Sequence, residues 1–245
     1  MNAKEGIAVM NIKPPFFEIG PKAYLYGDQV LSLALAADAA SVKYGVDVIF
    51  TTPYTEIRRV AEAAKHLFVC APHMDALRPG RGLADVLPEA LRAAGAKGVM
   101  LNHAERPLTM ETLEKTLARA REVGLFTIVC ANTTAQAMEI AKLGPDIIVA
   151  EPSELIGTGR PSSMEYVRAS IDAVKRVNPD ILVLQGAGIS GTRDVYNVIS
   201  AGAEATGASS AIALAASPEA MADEMLAAVR RAWDARADAD RGAHA

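Results

Sequence analysis

Short apolar runs rich in β-branched residues alternate along the chain with longer Ala-rich segments whose apolar positions recur at helical spacing. The runs fall at residues 7–12, 46–52, 67–71, 98–102, 125–131, 146–150 and 181–185, with a weaker one at 205–208. Between and after them, 29–44, 55–65, 83–94, 110–123, 134–143, 161–177, 192–200 and 218–233 read as helices. Gly45, Gly95, Gly124, Gly144 and Gly202 stand where a left-handed residue would end five of them. The runs are near-continuously apolar, which marks a parallel sheet covered by helices. Eight such units in 245 residues predict a single (β/α)8 barrel in preference to an open doubly wound sheet. The barrel is expected over residues 1–234, and the small, charged segment 235–245 is expected to fray.

Composition narrows the function. With 51% hydrophobic residues the chain can bury one large core, so a second domain is not expected. The net charge is -4, and Lys and Arg are spread along helical faces, which argues against a nucleic-acid partner. No run approaches the roughly 18 to 20 apolar residues of a membrane span, and the N-terminus lacks the pattern of a signal peptide. A cytoplasmic protein without a membrane partner is expected. Cys70 and Cys130 lie in apolar runs without paired spacing, so neither a disulfide framework nor a zinc site is expected.

In a parallel barrel the active site forms at the C-terminal ends of the strands. Polar residues there become candidates: Asn11 and Lys13 after the first run, His73 after the third, Asn102, His103 and Glu105 after the fourth, Glu151 after the sixth. Glycine-rich loops follow the last three runs, with GTG at 157–159, GAGIS at 186–190 and GASSA at 207–211. Glu151 would point from a strand end into the mouth, where desolvation raises the basicity of a carboxylate and suits it to proton transfer. It could instead cap its loop or pair with an arginine. The glycine loops can offer converging backbone N–H groups to a phosphate, although glycines also serve as simple turn formers.

The motifs NIK at 11–13, NHAE at 102–105, EPSELIGTG at 151–159, GAGIS at 186–190 and the small-residue turn at 207–211 occur in that order. Together they resemble triosephosphate isomerase in its shorter archaeal-type form, over residues 7 to about 230. The resemblance implies a TIM barrel that interconverts dihydroxyacetone phosphate and glyceraldehyde 3-phosphate through an enediolate, in glycolysis and gluconeogenesis, with no metal and no cofactor. It implies Glu151 as the base, His103 and Lys13 as donors to the developing charge, and Asn11 as an orienting group. Gly157, Gly188, Ser209 and Ser210 are the implied phosphate-binding positions, Glu105 the support for Lys13, and residues 152–159 a closing lid. A homo-oligomer, dimer or tetramer, is expected, with a phosphorylated sugar as ligand.

The chain departs from the family pattern where Ala104 replaces a Ser, Ala150 a Tyr, Ser209-Ser210 a Gly-Gly pair, and Leu83-Ala84 a Thr-Gly that reaches into the neighbouring subunit. Ala104 and Ala150 are expected to widen the pocket, which leaves open a four-carbon ketose phosphate of the erythrulose phosphate type as substrate, in sugar or sugar-alcohol catabolism. An inactive barrel that only binds a phosphorylated metabolite is the remaining alternative. The joint presence of Glu151, His103 and Lys13 argues against it. His73 is divided between lining the mouth and holding a loop, and Arg160 between adding charge at the rim and standing in solvent.

Overall fold

The computed structural model describes residues 11–243. Eight parallel strands close into a barrel in sequence order: β1 (Phe16–Ile19), β2 (Asp47–Thr51), β3 (Phe68–Ala71), β4 (Gly98–Leu101), β5 (Phe126–Ala131), β6 (Ile147–Ala150), β7 (Leu182–Gln185) and β8 (Ala205–Ala208). The last pairs back onto the first, Phe16 opposite Ala205 and Ile19 opposite Ala208. Around this ring run α1 (Asp28–Tyr44), α2 (Ile57–Ala63), α3 (Pro88–Ala93), α4 (Met110–Val123), α5 (Thr134–Lys142), α6 (Met164–Val177), α7 (Thr192–Ser200), the short α8 (Ser210–Ala213) and α9 (Pro218–Ala243). The chain is a single (β/α)8 TIM barrel.

Successive strand residues point to opposite faces, and register partners share one. Phe16, Ile49, Cys70, Ile128, Ile147 and Leu184 therefore fill the barrel interior, while Phe17, Phe50, Val129, Ile148 and Val183 pack under the helices. Gly98 is small for a reason of space: an added Cβ would lie 2.5 Å from the Phe126 ring. The helix starts are capped by side chains where the sequence offers them, Thr109, Thr133 and Ser163 each accepting from the amide three residues on. Gly45 and Gly124 end their helices at φ 59° and 74°.

The first strand lies later than the apolar pattern predicts. Residues 7–10 of the expected run fall outside the described residues, and Asn11 and Ile12 are not strand. Ile12 instead joins the interior cluster with Phe16 and Ile49, and the Lys13 amide donates to Asp47 at the start of β2, 2.8 Å away. The segment Phe16–Ile19 escapes the pattern because Pro14 and Pro15 precede it and Glu18 interrupts its apolar character. Helix α3 begins at Pro88 and not near residue 83. The segment from 235, expected to fray, continues α9 to Ala243. Arg236 holds it by donating to the carbonyls of Ile199 and Ala203. No helix among the described residues is long and apolar enough to cross a membrane.

Candidate active site

A cavity of about 1260 Å³ opens at the C-terminal ends of the strands. Glu151 follows β6 directly and, two residues beyond the interior residue Val149, turns its side chain into this cavity. Its amide donates to the Ala131 carbonyl at 3.0 Å, and its Oε1 accepts the Ala187 amide at 3.1 Å. Burial raises its pKa above the ordinary 4.5, against the opposing pull of Lys22 and the Ala187 amide. Across the cavity His103 places Nε2 3.8 Å from Glu151 Oε2, with both side chains about 15% exposed. Asn102 fixes the backbone that carries His103: its side chain donates to the Cys130 carbonyl and accepts the Leu108 amide, both at 2.9 Å. The Glu105 amide donates to His103 Nδ1 at 3.1 Å. Burial first, and Lys22 second, lower the His103 pKa from 6.5.

The lysine of the site is Lys22. It lines the cavity just past β1 and its Nζ lies 2.8 Å from Glu105 Oε1. Asn11 and Lys13 are exposed residues that precede β1, at the end of the barrel opposite Glu151, so neither reaches the cavity. Glu105 accordingly pairs with Lys22 and not with Lys13. The signal that could have found it is the Gly-Pro-Lys that closes the apolar run ending at Ile19. In the Asn-x-Lys pattern the position two before the lysine is then Gly20, which has no side-chain amide to orient a substrate.

Backbone strain gathers at this mouth. Lys22, Ala84 and Ala187 line the cavity and Asn102 precedes His103, and all four hold positive φ, at 49°, 69°, 64° and 56°. The loop after β6 carries a 3-10 turn at Ser153–Leu155 followed by Gly157 and Gly159 at φ 72° and 68°. Its far end lies against the loop after β7: a Cβ on Gly188 would sit 1.8 Å from the Arg160 carbonyl oxygen. Gly157, Gly188, Ser209 and Ser210 all line the same cavity. Arg160 is exposed and outside that lining, its amide bonded to the Thr158 hydroxyl. His73 does both things considered for it. It is buried in the lining, while its Nε2 lies 3.3 Å from Asp75 and its carbonyl accepts the Tyr54 hydroxyl.

A family model described as triosephosphate isomerase matches residues 22–225, beginning at the lysine that the structure sets in the cavity. The chain belongs to the triosephosphate isomerase family. It is 34% identical over 228 residues to the triosephosphate isomerase of Sulfurisphaera tokodaii, covering 91% of this chain and 99% of that protein. It is 33% identical over 232 residues to that of Sulfolobus acidocaldarius, covering 93% and 100%. With that of Methanothermobacter thermautotrophicus the identity is 36% over 209 residues, covering 83% and 91%.

Within this triosephosphate isomerase fold the two alanines do not widen the pocket. Ala150 is buried on the helix-facing side of β6, and Ala104 lies outside the cavity lining. At β1, Gly20 and Gly207 flank Glu18, a residue of the cavity lining that motif reading passes over. Leu83 is 97% exposed in the loop between β3 and α3. Among the described residues no cluster of three or more His, Cys, Asp or Glu could hold a metal ion.

Proposed function

We propose that the protein is an aldose–ketose isomerase that interconverts dihydroxyacetone phosphate and glyceraldehyde 3-phosphate. The observation that carries this reading is the facing pair of Glu151 and His103 at one cavity, with their pKa values pushed toward each other, the carboxyl up and the imidazole down, so that the carboxylate is a stronger base and the imidazole stays neutral. Glu151 removes a proton from the carbon beside the carbonyl and returns it to the neighbouring carbon, so the reaction is redox-neutral within one molecule. Negative charge develops on the two oxygens of the enediolate between these steps. A neutral His103 donates from Nε2, and the Lys22 ammonium adds a positive charge that the Glu105 carboxylate holds in place. Gly157, Gly188, Ser209 and Ser210 line the same cavity, and their loops suit a phosphate dianion. Residues 152–159 close over the bound substrate to exclude water.

The same reading extends to the surroundings of the enzyme. The protein works in the cytoplasm, a reading supported by its two free, buried cysteines. It is a homo-oligomer, and the exposed Leu83 marks a segment suited to contact a second copy. A coupled assay of the purified protein on both triose phosphates tests the activity, with Glu151→Gln as its control. The variant is expected to lose about 10² to 10⁴-fold in kcat while binding a phosphate analogue nearly as before. No triose turnover by the parent, or a variant within a few-fold of it, would overturn the assignment.

A further inference from the structure

The turn that ends β1 carries Lys22 into the cavity but leaves position 20 without a side chain. Gly20 does not hold positive φ, so its backbone alone does not demand glycine. The space beside it is already taken: a Cβ there would lie 3.0 Å from Oε1 of Glu18. Glu18 and Gly20 are alternate residues of one extended segment and face the same way, into the cavity that both line. The carboxyl of the lower residue thus rises into the room that a side chain at the upper one would fill. Gly207 of β8 clears its other side, since a Cβ there would sit 3.1 Å from Glu18 Oε2. Just past the adjacent β7, Gly186 does the same for Glu151, whose carboxyl carbon lies 3.2 Å from where that Cβ would be. The two carboxyls therefore stand over neighbouring glycines on one side of the barrel mouth.

We propose that Glu18 is a further catalytic residue of the triose phosphate site: its carboxylic acid hydrogen-bonds an oxygen of the reacting carbons, in the place where the Asn-x-Lys pattern sets an amide. This rests on the isomerase reading of Glu151 and His103 and adds a third donor beside His103 and Lys22. The proton stays on Glu18 throughout, so the acid stabilises charge and takes no part in moving the substrate's proton. Such a donor must be neutral at working pH. Burial, the largest cause, lifts the Glu18 carboxyl to about 7, with Glu151 after β6 adding to the rise. Lys22 opposes it, as does the Thr51 hydroxyl of β2, which hydrogen-bonds the carboxyl. A hydroxyl that donates to one carboxyl oxygen leaves the other free to carry the proton. The remaining titratable neighbours are Cys70 of β3 and Cys130 of β5, whose thiols burial pushes up and keeps neutral, while β8 presents only Gly207. An ionised Glu18 would set a negative charge against the enediolate, so the protonated form is the active one.

Steady-state kinetics on both triose phosphates across pH test the role. The parent's kcat/KM is expected to fall by about fivefold or more from pH 7 to pH 9 as Glu18 ionises. Glu18→Gln, which keeps a donor but does not titrate, is expected to hold its value over that range. At pH 7 it stays within about fivefold of the parent. Glu18→Ala is expected to lose about tenfold to a hundredfold in kcat with KM changed less than about threefold, the pattern of an interaction made in the transition state. Gly20→Asn introduced into Glu18→Ala, where the space is free, is expected to restore most of that loss. The pH comparison decides the matter if Glu18→Ala does not fold. An active parent whose pH profile matches that of Glu18→Gln, or a Glu18→Ala enzyme within about threefold of the parent, overturns the role of Glu18 alone. A parent without triose turnover overturns the isomerase reading and this role with it.

Discussion

The backbone amide of Glu105 donates into Nδ1 of His103, which commits that nitrogen to accept and leaves the ring proton on Nε2, the nitrogen facing Glu151. Protonating the ring would break this bond and place a cation near Lys22. Burial, the larger cause, and Lys22 both act against it. ¹⁵N NMR titration is expected to show a neutral Nε2–H tautomer at pH 7 and a midpoint below 6.5. The associated stability is present above the unfolded value of 6.5 and is lost as pH falls through the lowered folded value. An imidazolium at pH 7 would refute the assignment.

Two lysines in the first strand's neighbourhood make opposite predictions. Lys22 stands in the cavity against Glu105, while Lys13 is exposed at the far end of the barrel. Lys22→Ala is expected to lower kcat/KM by about a hundredfold or more, through loss of a charge placed at the enediolate. Lys13→Ala is expected to stay within a few-fold of the parent. Steady-state kinetics on the pair decide it, and the reverse ranking would return the role to Lys13.

Gly188 is required twice over, by its φ of 70° and by the Arg160 carbonyl in the space of its missing Cβ. Gly188→Ala must push the loop after β6 away from the loop after β7. The expected result is a fall of at least about tenfold in affinity for a phosphate analogue, together with destabilisation of about 1 to 3 kcal/mol. Calorimetry and denaturant titration read the two effects. Parent-like values in both would show that the loops part without consequence.

Glu18 ties stability to pH. Its folded value of about 7 lies above its ordinary 4.5, so the native state holds the proton longer than the unfolded chain. Its favourable contribution is complete below about pH 4.5, declines as pH rises toward 7 and is absent above it. Across that window the parent should lose about 3 kcal/mol relative to Glu18→Gln. Denaturant titrations of both proteins at pH 5 and pH 8 measure the difference, and equal pH slopes would show that Glu18 titrates as if in water.

The barrel was legible because its strands are apolar on both faces and its helices end at glycines; the runs from residue 46 onward each fall on a strand within a residue or so at either end. Glu151 and His103 were legible for the same reason, since each follows such a run directly. The first strand was not. Reading Asn-Ile-Lys as its end would leave residues 13–28 as one structureless connection, too long for a compact βα unit, and that length was the available warning. Glu18 was hidden by its own chemistry, because a carboxylate within a strand argues against burial until the glycines beside it are seen. Ala150 misled in the other direction: pocket and helix-facing residues alternate along a strand, and it falls on the helix side.

Closure of the ring joins residues far apart in the chain. Phe16 pairs with Ala205, Glu18 with Gly207, and α1 lies against α9 through Lys43, Tyr44 and Asp223. During synthesis from the N-terminus, β1 and its carboxyl wait without a partner on one side until β8 has left the ribosome. The floor of the catalytic cavity is thus among the last parts of the molecule to be sealed from water, and a chain cut short before β8 has every catalytic side chain but no closed chamber to hold them.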